Sequence, residues 1–137
     1  MIYTSYFAKL KELEKNNIIP VSICGKAPNW YKGLQYKKLA PKYDFFIEWK
    51  RNHNNDYYIE HYQNEILNKL NIVNVLNELQ ILLPDKIKQK MESPFYNNLN
   101  YHIALICYEK PPNFCHRYLV AKWLNQNNYY CKEWEDD

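Results

Sequence analysis

Met1-Ile-Tyr-Thr-Ser-Tyr-Phe-Ala-Lys-Leu-Lys-Glu-Leu-Glu-Lys-Asn-Asn-Ile-Ile-Pro-Val-Ser-Ile-Cys-Gly25 is the stretch that decides the fold, because its hydrophobic pattern changes twice. Ile2-Tyr-Thr reads as a short strand, with Ser5 as a helix N-cap. Phe7, Leu10 and Leu13 then recur at helical spacing as far as Lys15. Asn16-Asn17 breaks that helix, and Ile18 to Cys24 is again a strand, closed by Gly25. Strand, helix and strand in so short a span make a βαβ unit, which predicts two parallel strands and an α/β class.

Outward from that unit, Lys26-Ala-Pro-Asn-Trp-Tyr-Lys-Gly33 is a loop rich in turn residues and aromatics. From Tyr43 to about Leu83 the pattern is helical, carried by Phe45, Phe46 and Trp49, then Tyr58, Tyr62 and Leu67, then Val73, Leu76 and Leu79. Breaks fall at Asn52 to Asp56 and at Asn71. Asp85 to Asn100 reads as a short helix with a loop. Tyr101 to Tyr108 is the third strand, a helix runs from about His116 to Asn127, and Tyr129 to Trp134 is a last short strand. The expectation is a single domain over 1–137: a small three-layer, Rossmann-like α/β fold with a mostly parallel sheet of about four strands. A helical insertion at about 43–95 separates strands two and three.

The chain has 137 residues, enough for one ordinary core, and a normal apolar share of 47% argues for a folded protein. Two glycines are too few for a glycine-rich phosphate loop. The start has no basic segment followed by an apolar stretch, and no apolar run approaches the roughly 18 residues of a membrane span. A cytoplasmic location is therefore expected, with Cys24, Cys107, Cys115 and Cys131 as reduced thiols. Net charge is +3, but Lys26 to Arg51 holds six Lys and one Arg against Asp44 and Glu48. Such a basic stretch is either an ordinary solvated surface or an attraction for phosphate or nucleic acid.

Chemistry concentrates in Cys107-Tyr-Glu109-Lys-Pro-Pro-Asn-Phe-Cys115-His116-Arg117, where a strand empties into a proline-braced loop and a helix opens. A helix N-terminus favours anions and lowers thiol pKa. Cys115 reads as a nucleophile or as a small buried thiol packing the loop. Arg117 in a helix first turn opposes the dipole, so it calls for an anionic partner: a ligand, or Glu109 across the loop. Glu109 is then either that salt-bridge partner or a general acid or base. His116 is a proton shuttle or bonds a carbonyl and fixes the loop. Cys107 reads as core. Cys107, Cys115 and His116 are ligand types for a metal, but a fourth must come from Cys24 or His102. The cysteines also lack paired CxxC spacing, so no metal is assigned. Ligands of an open parallel sheet sit beyond the carboxyl ends of its strands. That rule gathers Ser5, Lys26 and Trp30 onto the same rim, with Lys26 meeting an anion and Trp30, with Tyr31, stacking on a base or anchoring a lid.

Those residues resemble the domain of unknown function 488 family, whose signature is a strand ending in Cys-x-Glu, a short proline-containing loop, and Cys-His-Arg opening a helix. Here they are Cys107, Glu109, Cys115, His116 and Arg117. The resemblance extends to Tyr3-Thr4, to Ser22 through Trp30 and to Leu39-Ala-Pro41, and is strongest to the short single-domain branch. Longer members carry Asp-Val-Arg at the end of the second strand, where this chain has Val21-Ser22-Ile23. The resemblance sharpens the fold and the site and assigns neither a reaction nor a cofactor. The thiol, carboxylate, imidazole and guanidinium compressed into Glu109 to Arg117 support an enzyme, or a degenerate enzyme, that binds a small anionic ligand, a nucleotide or nucleic-acid base, at the carboxyl edge. Glu109, Cys115 and His116 would be catalytic, and Arg117, Lys26, Trp30 and Ser5 would bind. The other reading is a non-catalytic module that binds nucleic acid or protein through the basic, aromatic 26–51 surface.

Overall fold

The structure is a computed structural model that describes residues 1–84 and 102–136. Five parallel strands form one sheet in the order β3-β2-β4-β1-β5. They are β1 (Ile2–Tyr6), β2 (Ile18–Ser22), β3 (Leu34–Gln35), β4 (His102–Cys107) and β5 (Cys131–Glu133). The α-helices of the described residues are α1 (Leu10–Lys15), α2 (Tyr43–Asn52), α3 (Asn55–Glu65), α4 (Ile72–Leu82) and α5 (Arg117–Gln126). β3 adds a strand to the four expected, since two residues are too short to leave a periodic pattern.

β4 lies at the centre, and Ile103 to Cys107 are all buried, as a parallel strand covered on both faces requires. One face packs Val21, Ile103, Leu105 and Cys131 against Phe45 of α2, Tyr58 and Tyr62 of α3, Val75 and Leu79 of α4, and Val120 and Leu124 of α5. The other packs Ile18, Ala104 and Ile106 against Phe7 and Leu13 at α1 and against Tyr31 of the following loop. The three-layer α/β architecture is thus present.

β1 and β2 are parallel, as the βαβ reading required, but β4 runs between them: Thr4 and Val21 both face Leu105 in register. Local sequence cannot foresee a strand that arrives 80 residues later. α2, α3 and α4 make up the described part of the insertion and divide where Asn54 and Asn71 cap: their side chains accept from the N–H groups of Tyr57 (3.2 Å) and Asn74 (3.0 Å). The inward phase of α4 differs from expectation. Val75 and Leu79 are buried, whereas Val73 is half exposed. β1 continues to Tyr6, so Ser5 is a strand residue, and the helical turn at Phe7 has no side-chain cap. The helix and loop expected at Asp85 to Asn100 lie outside the described residues.

Candidate functional site

β1 leaves the sheet towards β2, with α1 on one face. β4 leaves towards β5, with α5 on the other. Their adjacent carboxyl ends, Tyr6 and Cys107 in register, are the switch point where α/β sheets hold ligands. Arg117 lies there as the first residue of α5, with no exposed surface. Its Nε and Nη2 donate to both oxygens of Glu133, each at 2.9 Å. Nη1 donates to the Glu109 carbonyl and to Cys107 Sγ (3.2 Å), and Nη2 also donates to Tyr118 Oη (2.8 Å). The guanidinium also lies over the rings of Tyr6 and Tyr118, at 5.5 and 4.5 Å.

Two expectations change here. The carboxylate that offsets the helix dipole is Glu133 of β5, not Glu109, which is exposed and meets Arg117 only through its main chain. All five guanidinium N–H groups also have acceptors, so Arg117 has no donor left for a ligand anion. Glu133 is held in turn by Thr4, whose hydroxyl donates to Oε1 at 2.7 Å. Sequence reasoning assigns neither Thr4 nor Glu133 a part in holding Arg117. The signal was the positive charge of Arg117 at the positive end of a helix dipole, and the carboxylate that answers it lies 16 residues onward.

Cys107 and Cys115 are joined as a disulfide, in place of the two reduced thiols expected, so Cys115 is not a free nucleophile in this state. His116 is buried. Its Nε2 lies 2.8 Å from the Ile23 carbonyl at the end of β2. A carbonyl only accepts, so Nε2 carries the hydrogen and Nδ1 keeps a lone pair, 3.9 Å from Cys115 Sγ. Burial, with Arg117 adjoining, lowers the imidazole pKa to about 4, so it is neutral at ordinary pH. Cys107, Cys115 and His116 bring their ligand atoms within 4.8 Å of one another. Neither fourth ligand considered from sequence joins them. Cys24 is a free buried thiol pushed up to about 11 by burial, and His102 is at the far end of β4 beside the N-terminal amine.

Helices far off in sequence hold this loop. Phe114 packs on Trp49 of α2 and Tyr58 of α3, at 5.6 and 5.1 Å between rings, and His116 packs on Tyr62 at 5.5 Å. On the opposite side, Trp30 (63% exposed) stands edge-on to Phe7 at 6.0 Å, and Phe7 meets Tyr108 (52% exposed) at 5.1 Å. The Tyr108 hydroxyl donates to the Lys26 carbonyl at 2.6 Å. The second exposed ring is therefore Tyr108 and not Tyr31. Tyr31 is buried, its hydroxyl donating to the Leu34 carbonyl at 2.7 Å, and its ring folds over Gly33, where a Cβ would overlap it. Ser5 is fully buried, and its Oγ has no hydrogen-bond partner among the described residues. Two surface clefts, of ≈ 100 Å³ beside Leu67 and Trp123 and ≈ 440 Å³ beside Leu10 and Ile18, lie away from this edge.

No helix of the described residues is long and apolar enough to cross a membrane. A family model described as the active DUF488-N3 subclade, DUF488-N3a, matches residues 6–128, and the chain belongs to that family. No curated protein and no solved structure matches.

Proposed function

We propose that this member of the DUF488-N3 subclade is an enzyme that binds a nucleotide or a nucleic-acid base at the carboxyl edge of its sheet. The observation that carries the reading is the aromatic rim beside the switch point. Trp30 and Tyr108 expose their rings on either side of buried Phe7, with exposed Lys26 in the loop that Tyr108 holds. Two exposed rings beside one another at the strand ends offer faces that stack on any base. Lys26 makes no ion pair among the described residues and so is available to a phosphate.

The roles then redistribute. Arg117 is a positioning residue that locks α5, β5 and the Glu109 carbonyl together, and Lys26 takes the anion. Exposed Glu109 serves as the proton-transfer group, and His116, neutral and bonded to Ile23, fixes the loop. The family description names the subclade as active, which favours an enzyme over a non-catalytic module. The basic 26–51 surface also offers less than its charge count implies. Lys38, Lys42 and Arg51 are paired with Glu78, Glu65 and Glu48.

Titration calorimetry with a panel of mononucleotides and free bases tests the proposal. Saturable binding is expected, weakened about tenfold or more by Trp30→Ala, since one stacked base is worth roughly 1–3 kcal/mol. Lys26→Ala should flatten the salt dependence of that binding. Heat signals that are flat throughout the panel, or affinities equal in wild type and both variants, would overturn it. Preference for long oligonucleotides with no dependence on Trp30 would favour the binding-module reading instead.

A further inference from the structure

We infer that the reduced Cys107–Cys115 pair, together with His116 Nδ1, forms a binding site for one Zn²⁺ ion with an open fourth position. Three observations carry it. The ligand atoms of Cys107, Cys115 and His116 already converge within 4.8 Å, and all three residues are buried. Cys115 Sγ and His116 Nδ1 are 3.9 Å apart, near the roughly 3.5 Å that a tetrahedral ion imposes with bonds of about 2.3 Å to sulfur and 2.0 Å to nitrogen. The imidazole is set up as a ligand by its other nitrogen, which donates to the Ile23 carbonyl at 2.8 Å and leaves the Nδ1 lone pair facing the thiols.

The surroundings suit a divalent cation. Arg117 and Glu133 neutralise each other through a two-point ion pair, so two thiolates and Zn²⁺ make a neutral cluster in a buried place. Arg117 Nη1, 3.2 Å from Cys107 Sγ, would donate to a metal-bound thiolate, as outer-shell groups commonly do. The Cα atoms of the two cysteines stand 7.4 Å apart, wider than the roughly 4.4–6.8 Å usual for a disulfide, so once the bond is reduced the side chains can rotate to part the sulfurs around an ion without moving the main chain closer. Thiolates with imidazole select zinc over magnesium or calcium. The missing fourth protein ligand argued against a structural site. It does not argue against an open one, which keeps three protein ligands and gives the last position to water or substrate. The exposed Tyr108–Asn113 loop is the entry path.

Loading the ion starts from the disulfide. A dithiol reductant gives up two electrons and two protons and becomes a cyclic disulfide, leaving Cys107 and Cys115 as thiols. Zn²⁺ then displaces one proton from each thiol into solvent. Reduced protein dialysed against Zn²⁺ and then washed should hold about one zinc per chain by elemental analysis. Co²⁺ in its place should give the intense d–d absorption of a tetrahedral site together with thiolate-to-cobalt charge transfer. Cys115→Ser and His116→Gln should each lose at least tenfold in zinc affinity while keeping the wild-type circular dichroism. Octahedral Co²⁺ spectra in the wild type, or fewer than about one zinc in ten chains, would overturn the site without reference to any variant's folding. Nucleotide binding is not a readout here, so its failure would leave this inference untouched.

Discussion

Arg117 and His116 are neighbours with opposite solutions to burial. Arg117 stays charged and is surrounded by acceptors. His116 gives up its charge and keeps one carbonyl. The imidazole makes stability depend on pH. Its pKa is about 4 folded against 6.5 ordinarily, so between those values the unfolded chain binds more protons. Stability is therefore full above about pH 6.5 and falls as pH drops towards 4, by up to about 3 kcal/mol. Urea titrations of the oxidised, zinc-free protein at pH 7 and pH 4.5 should display this loss. Glutamine can still donate to the Ile23 carbonyl, so His116→Gln should remove most of the slope. An equal fall in both proteins would mean that other groups set it.

Among the elements, the helical insertion does the positioning. α2 and α3 present Trp49, Tyr58 and Tyr62 to Phe114 and His116, so the loop between β4 and α5 is clamped from outside its own sequence neighbourhood. The insertion in turn rests on its caps. Asn71 starts α4 by accepting from the Asn74 N–H, and Asn71→Ala should cost about 1 kcal/mol in chemical denaturation, with Asn71→Asp restoring most of it. An unchanged midpoint in Asn71→Ala would mean that packing of Val75 and Leu79 alone sets the helix start. Those caps were legible as breaks at Asn52 to Asp56 and at Asn71, because a short polar side chain competes for main-chain N–H groups. The phase of α4 was less legible, since Val73 and Val75 are equally apolar and only the position of α4 against the sheet decides which is buried.

For the molecule as a whole, the two free cysteines report on the sheet's two faces. Cys24 belongs to the α1 face and Cys131 to the face under α5, and burial pushes their thiols up to about 11 and about 12. Both should resist alkylation at pH 8 in the native protein and react together once denaturant unfolds it. Mass spectrometry of alkylated peptides would read this out. Reaction of one thiol well before the other would mean that the two faces open separately and that unfolding is not cooperative.

Sequence alone determined the α/β class, the parallel sense of β1 and β2, the central apolar strand and the strand–loop–helix carrying Cys107 to Arg117. Each is written in local periodicity, turn residues and the rule that parallel strands need a crossover. Tertiary structure alone decided that β4 runs between β1 and β2, that Glu133 rather than Glu109 answers Arg117, and that Tyr108 rather than Tyr31 shares the rim with Trp30. It also brought His116 to Ile23 and the two cysteines together. The reason is that a pattern fixes how a segment folds and which of its faces turns inward. Which distant group meets a buried charge depends on strand order and packing, to which every segment contributes.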